Sequence, residues 1–345
     1  MSETPSASNK NKHLKTFAVI FTIFGILLFA YFVYSVGLTE IIEGVEKIGI
    51  VGFALLVFLY LLRIIVRAIA WKLSVSNPYK LGFNDTFQAV IIGEAVSSMI
   101  PLGILASGTS KAVAVSNRIP FVAGLSSVAT ENLFYTIVTG IFIICGAIAF
   151  LLGVEVEAIW LIPVFGVIAF ILVLITFIFF AIIRQWHLVS GICNFFYNRH
   201  ILRGILENGR VQALEFEHLI FDFYRQKSGN FLPIILCEIL YHVFGITEVW
   251  FILSKISEVA PTLYSSFLLE SVSRVVAITF KLIPFAIGVD EASSQFITDN
   301  LSLGVAAGVT IAILRKGRIL FWAICGMLLI LKRELSLTHL LNHKK

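Results

Sequence analysis

Seven stretches of this chain, at about 16–36, 49–72, 121–152, 158–182, 230–254, 262–282 and 303–331, run near twenty residues or longer on mainly apolar side chains. About twenty such residues in a helix cross the roughly 30 Å hydrocarbon core of a bilayer. No other feature restricts the fold so much. Inside lipid every backbone N–H and C=O must be paired, and only helices or closed barrels achieve that. The runs are continuous rather than alternating, which excludes a β-barrel. A chain that is 58% hydrophobic and only 14% charged lies outside the range of soluble domains. The fold class is all-α, that of a polytopic integral membrane protein.

Basic residues set the orientation, because cytoplasmic loops hold an excess of Lys and Arg. With the N-terminus inside, Lys47 and Lys255 are the only basic residues assigned to outer connections. Those connections are acidic instead, with Glu40, Glu43, Glu46, Glu155, Glu157 and Glu258. Arg274, Lys281, Arg315, Lys316 and Arg318 interrupt apolar segments, and the remaining Lys and Arg flank cytoplasmic loops. Both termini are therefore expected in the cytoplasm, at the cell membrane. Residues 1–15 read as a disordered cytoplasmic N-terminus, 16–333 as the transmembrane domain and 334–345 as a cytoplasmic tail. The run at 16–36 is too long for a cleaved signal segment and reads as a retained first span. The polar stretch 184–228 repeats apolar residues at helical spacing, as in LEFEHLIFDFY. It reads as an amphipathic cytoplasmic linker on the membrane surface, joining halves at about 16–183 and 229–333. The net charge of +5 is modest and sits at helix ends, so no nucleic acid partner is expected. Cys145, Cys193, Cys237 and Cys325 are scattered without metal or disulfide spacing.

Two apolar segments are poor helices. In 84–118, SSMIPLGILASGTSKAV places Pro101 and Gly103 among hydroxyl side chains. A proline removes a backbone donor and breaks the ladder. The segment begins near Lys80 and ends near Arg118, both cytoplasmic by the charge rule, so it should enter and leave by one side. In the second half, KLIPFAIGVDEASSQFI places Pro284 and Gly288 in a similar pattern. There 262–282 and 283–300 should form the two arms of a hairpin opening to the outside. The expectation is about six full spans plus two Pro-broken re-entrant hairpins in a candidate inverted repeat. Irregular backbone at membrane depth is tolerated only when buried in protein or lining a polar cavity. Opposed broken elements are the pattern of transporters that bind substrate near the midplane.

Ionisable residues inside a bilayer cost a few kcal/mol each and face partners or water. Glu94, Glu131, Glu291, Arg315 and Arg318 lie on or beside the broken elements. Glu270 and Arg274 stand one turn apart in the order that favours pairing. A cavity holding both signs suits an anionic or zwitterionic headgroup, because the guanidinium fork matches phosphate. Arg63 and Arg67 read as snorkelling residues near the cytoplasmic end of their helix. No P-loop, H-E-x-x-H or G-x-S-x-G motif is present, so neither cofactor, metal nor enzymatic activity is expected. Only Glu238 and His242, one turn apart, offer the spacing of a catalytic pair.

At GEAVSSMIP, at IPFAIGVDEASSQF and at AILRKGRILFWAICG the chain resembles the lysylphosphatidylglycerol synthase transmembrane-region family, also called flippase-like, over about 15–333. The resemblance implies site positions at Pro284, Gly288, Glu291 and Arg315 in the second half, and Pro101, Gly103 and Glu131 in the first. It departs from the pattern at PFAIGVDE, which is poorer in Gly, and at Asn132, where an Arg often follows the Glu. Full-length synthases add an aminoacyl-transferase domain, whereas this chain closes at KRELSLTHLLNHKK, so lysine transfer is not expected. The resemblance implies a lipid transporter that moves or delivers an anionic or zwitterionic phospholipid or a lipid-linked sugar. The alternatives are a non-transporting partner or regulator of a glycosyltransferase or lipid synthase, and a membrane-embedded enzyme acting through Glu238 and His242.

Overall fold

The computed structural model describes residues 38–99, 103–153, 158–199, 203–257, 259–279, 289–303 and 305–342. The expected first span at 16–36 and the N-terminal segment lie outside them. Among the described residues the chain is helical and no strand occurs.

The helices in chain order are α1 (Leu38–Leu73), α2 (Phe83–Met99), α3 (Gly103–Ala114), α4 (Phe121–Gly153), α5 (Ala158–Ile183), α6 (Leu188–Asn198), α7 (Arg203–Gln226), α8 (Phe231–Ile256), α9 (Leu263–Thr279), α10 (Val289–Asn300) and α11 (Val305–Asn342). α1 is kinked at Gly49, whose φ of 77° a side-chain-bearing residue would rarely adopt. Four helical stretches are long and apolar enough to cross a membrane: Glu46–Leu73, Phe121–Gly153, Leu161–Ile183 and Ser228–Ile256. α11 is long enough at 38 residues, but Arg315, Lys316 and Arg318 interrupt it.

The broken segments resolve into short helices. α3 and α10 have 12 residues each, about 18 Å at 1.5 Å per residue, which is well short of a bilayer core. α2 packs on α3, and α9 packs on α10, so each pair is a helical hairpin. The pairings then repeat. α1–α4 and α8–α11 have the same order of long helix, hairpin and long helix. Within each set the second hairpin arm packs on the following long helix. Between sets the contacts exchange: α2 packs on α11, and α9 packs on α4.

α1 and α8 form the central pair, and they are antiparallel. Asn230 donates to the Leu73 carbonyl at one end, while Leu56 packs on Val249, Ile252 and Leu253 toward the other. The first hairpin follows the Leu73 end of α1, and the second follows the Ile256 end of α8. The two hairpins thus enter the bundle from opposite ends.

Apolar burial cannot drive helices together in lipid, so close packing and polar contacts do. α11 shows this at Gly308, pressed on the backbone of Ser294 and Gln295, and at Gly326, pressed on Ile91 and Ala95. The outward faces are apolar: α5 exposes Ile162, Phe165, Phe170, Val173 and Phe177. The 184–228 region folds as the hairpin α6–α7 and docks on the bundle. Phe223 is buried against Ala70, Phe134 and Ile234, and Ser76 donates to the Leu219 carbonyl at 2.6 Å. α6 is held to α7 by Glu217, which accepts from the backbone N–H groups of Val189 and Ser190 and from the Ser190 hydroxyl.

Candidate functional site

Charged side chains project inward where α1, α8, α9 and α11 meet. Glu270 on α9 is wholly buried, and its carboxylate meets three guanidiniums: Arg63 at 3.3 Å, Arg274 at 2.9 Å and Arg315 at 2.5 Å. Arg315 also donates to the Ser273 hydroxyl at 2.6 Å. One step along α8, Glu248 pairs with Arg318 and lies 3.6 Å from Arg63. Four guanidiniums therefore gather around two carboxylates. Each carboxylate meets more than one guanidinium, which offsets the cost of burying it, and the guanidiniums remain in excess.

Helical spacing puts a second group beside the first. Arg67 lies one turn after Arg63 on α1 and reaches Glu131 on α4 at 3.0 Å, Asn132 at 3.3 Å and Glu94 on α2 at 3.5 Å. Tyr60 donates to Glu94 at 3.0 Å. Lys111 on α3 is buried, with Glu131, Glu94 and Glu238 as its charged neighbours. This side of the site has the opposite balance: Glu94, Glu131 and Glu238 face Arg67 and Lys111.

Tyrosine faces join the two groups. Tyr241 on α8 lies under Arg63 at 4.1 Å and near Arg67 and Arg274, Tyr60 lies under Arg318 at 4.2 Å, and Tyr135 lies under Arg67 at 4.5 Å. A ring face attracts a cation without neutralising it. The arginines thus keep charge available for an anion. A cavity of about 110 Å³ borders the site between α1, α2 and α11, lined by Tyr60, Glu94, Ser97, Ser98, Ile319, Trp322 and Ala323. At about 30 Å³ per water it has room for a few waters and none for a lipid headgroup. The described state is closed around its ion pairs.

The family model for the lysylphosphatidylglycerol synthase TM region matches residues 17–326. The chain belongs to that family. No curated protein and no solved structure matches it. The family match takes in every residue of both charged groups, and the helices that carry them are the repeated elements α1–α4 and α8–α11.

The structure brings Glu94, Glu131, Glu270, Arg274, Arg315 and Arg318 into this one network. Gly103 is the first residue of α3, at the start of the second arm of its hairpin. Pro101, Pro284 and Gly288 lie outside the described residues, and Glu291 stands in the first turn of α10.

One expectation is corrected. Arg63 and Arg67 do not snorkel: Arg63 is 1% exposed, and both make ion pairs deep in the bundle. Their spacing was the available signal, since Tyr60, Arg63, Arg67 and Trp71 recur every three or four residues on one face of an apolar helix. Glu238 and His242, one turn apart on α8, make no hydrogen bond to each other. His242 Nε2 is bonded to the Thr139 hydroxyl at 3.0 Å, and the ring stacks on Phe142. Neither Glu238 oxygen has a hydrogen-bond partner among the described residues. Asn132 serves as an acceptor for Arg67.

Proposed function

We propose that this chain moves a polar lipid across the cell membrane by passing its headgroup through the bundle interior while the acyl chains stay in lipid. The observation that carries the reading is the excess of guanidinium around Glu270 and Glu248. Arg63, Arg274, Arg315 and Arg318 are the groups that bind phosphate through bidentate, charge-assisted hydrogen bonds. An anionic or zwitterionic phospholipid, or a lipid-linked sugar phosphate, would share these arginines with the carboxylates. Four guanidiniums outnumber two carboxylates there, so the added phosphate offsets positive charge that is otherwise in excess.

The inverted pairing of α1–α4 with α8–α11 supports alternating access. Rocking one repeat against the other would open the site first to one end and then to the other. The partly exposed Glu94, 3.5 Å from Arg67 and on the cavity wall, is the weakest link and the natural point of entry. The process needs no covalent step and no cofactor. Both termini would lie in the cytoplasm.

The test is headgroup accessibility in proteoliposomes made from a mixed lipid extract, comparing the intact protein with Arg315→Gln and Glu291→Gln. Protein-dependent loss of sidedness that Arg315→Gln abolishes is the expected result. No movement by folded protein at any lipid composition would overturn the reading. It would favour a membrane partner that serves a glycosyltransferase or lipid synthase, to be sought by co-purification.

A further inference from the structure

Glu238 belongs to the acid-rich group but has no part in the proposed headgroup path. It sits on α8 and is 0% exposed, and neither oxygen has a hydrogen-bond partner among the described residues. A bare carboxylate in that position would cost far more than its neutral form, because burial penalises the charge and no donor repays it. Its charged surroundings sharpen the point. Arg67 on α1, Glu131 on α4 and Lys111 on α3 face it. On its own helix it neighbours Cys237 and stands one turn from His242. Arg67 is already held by Glu131 and Glu94. With three carboxylates facing two cations, the group is neutral when one carboxyl holds a proton, and Glu238 is the carboxyl with nothing else to hold.

We propose that Glu238 is a proton-binding site that couples headgroup movement through the bundle to a proton gradient. The step is a plain protonation: the carboxylate takes one proton from the side to which the site is open, and releases it to the other. Glu94 on the cavity wall links this group to the open space between α1, α2 and α11. Losing the proton leaves a third negative charge competing for Arg67 and Lys111. That competition loosens Arg67 from Glu94 and Glu131, the contacts tying α1 to α2 and α4. Proton binding therefore favours the closed arrangement, and proton release favours an opened one.

The coupling rests on the proposed lipid path, so the experiment separates the two. Infrared spectroscopy of the purified protein should show a protonated-carboxyl C=O band near neutral pH that is absent in Glu238→Gln. Glu238→Leu is a second variant that leaves no polar group to misfold around. In proteoliposomes with the membrane potential clamped, an imposed pH gradient should shift the lipid distribution about tenfold per pH unit for one coupled proton. Both variants should move lipid more slowly, because a neutral side chain there favours the closed arrangement, and what movement remains should lose that response. A spectrum unchanged by Glu238→Gln, or lipid movement indifferent to the gradient in the intact protein, overturns the proposal and leaves the lipid path standing. No lipid movement at all overturns both.

Discussion

Replacing Glu270 with Gln removes the charge at the centre of the buried network while keeping its shape. Glu270 accepts from Arg63 at 3.3 Å, Arg274 at 2.9 Å and Arg315 at 2.5 Å. The amide keeps one acceptor oxygen and turns the other position into a donor facing a donor. Breaking a buried ion pair from one side costs about 3–5 kcal/mol, because the partner charge stays buried. Three cations share this one carboxylate, so the upper end applies. An unfolding entropy of about 2.1 cal/mol/K per residue amounts to about 0.7 kcal/mol/K for 345 residues. The expected fall in Tm is therefore about 7 °C in detergent, read by intrinsic fluorescence or a thiol dye. Glu207→Gln, on the exposed face of α7, is the control and should stay within about 0.5 kcal/mol of the parent. The double variant Glu270→Gln with Arg315→Gln should regain part of the loss, since one stranded cation has gone. A Glu270→Gln melting point indistinguishable from the Glu207→Gln control would refute the account of the network.

Gly245→Ala should destabilise by about 1–3 kcal/mol in the same melt, because a Cβ there would crowd the Glu270 carboxylate and Arg63 Nη1 in a packed core. Burial alone would raise the Glu217 carboxyl, but hydrogen bonds from Ser190, His187 and Val189 outweigh it and hold it below the usual carboxylate range. Its stabilisation of α6 is thus complete above about pH 4.3 and is lost as pH falls through the lower folded-state value. Hydrogen exchange of α6 should rise over that acid window, and Glu217→Gln should show the fast exchange at neutral pH. For topology, in a variant lacking the native cysteines, Val259→Cys should react with an impermeant thiol reagent from outside intact cells, and Lys227→Cys should react only after permeabilisation. The reverse pattern would invert the assigned orientation.

Much of the architecture was legible in the sequence because lipid imposes a one-dimensional rule. Apolar runs of fixed length must be helices, and a proline among glycines and hydroxyls must break them. That is why 84–118 could be read as broken, and the helix does stop at Met99 and start again at Gly103. The helices of 184–228 were legible too, from the spacing of LEFEHLIFDFY. Half of the site was legible as well. Glu131, Glu270 and Arg315 stood out because a charge in an apolar run has few explanations.

Partners were not legible. A sequence places Arg63 near one end of an apolar helix, where snorkelling is the cheaper choice for an isolated span. Only the antiparallel pairing of α1 with α8 carries it past Tyr241 to Glu248 and Glu270, 185 and 207 residues away. The same holds for Glu238 and His242. Their spacing puts them on one face, but what that face meets decides their chemistry: Thr139 for His242, and no hydrogen-bond donor among the described residues for Glu238. By itself, then, the sequence determined the class, the helices and their breaks, because backbone pairing and hydrophobic length are local demands. The tertiary structure alone decided which buried charges neutralise one another, because Coulomb and hydrogen-bond energies depend on distances between helices, and no periodicity within one helix contains them.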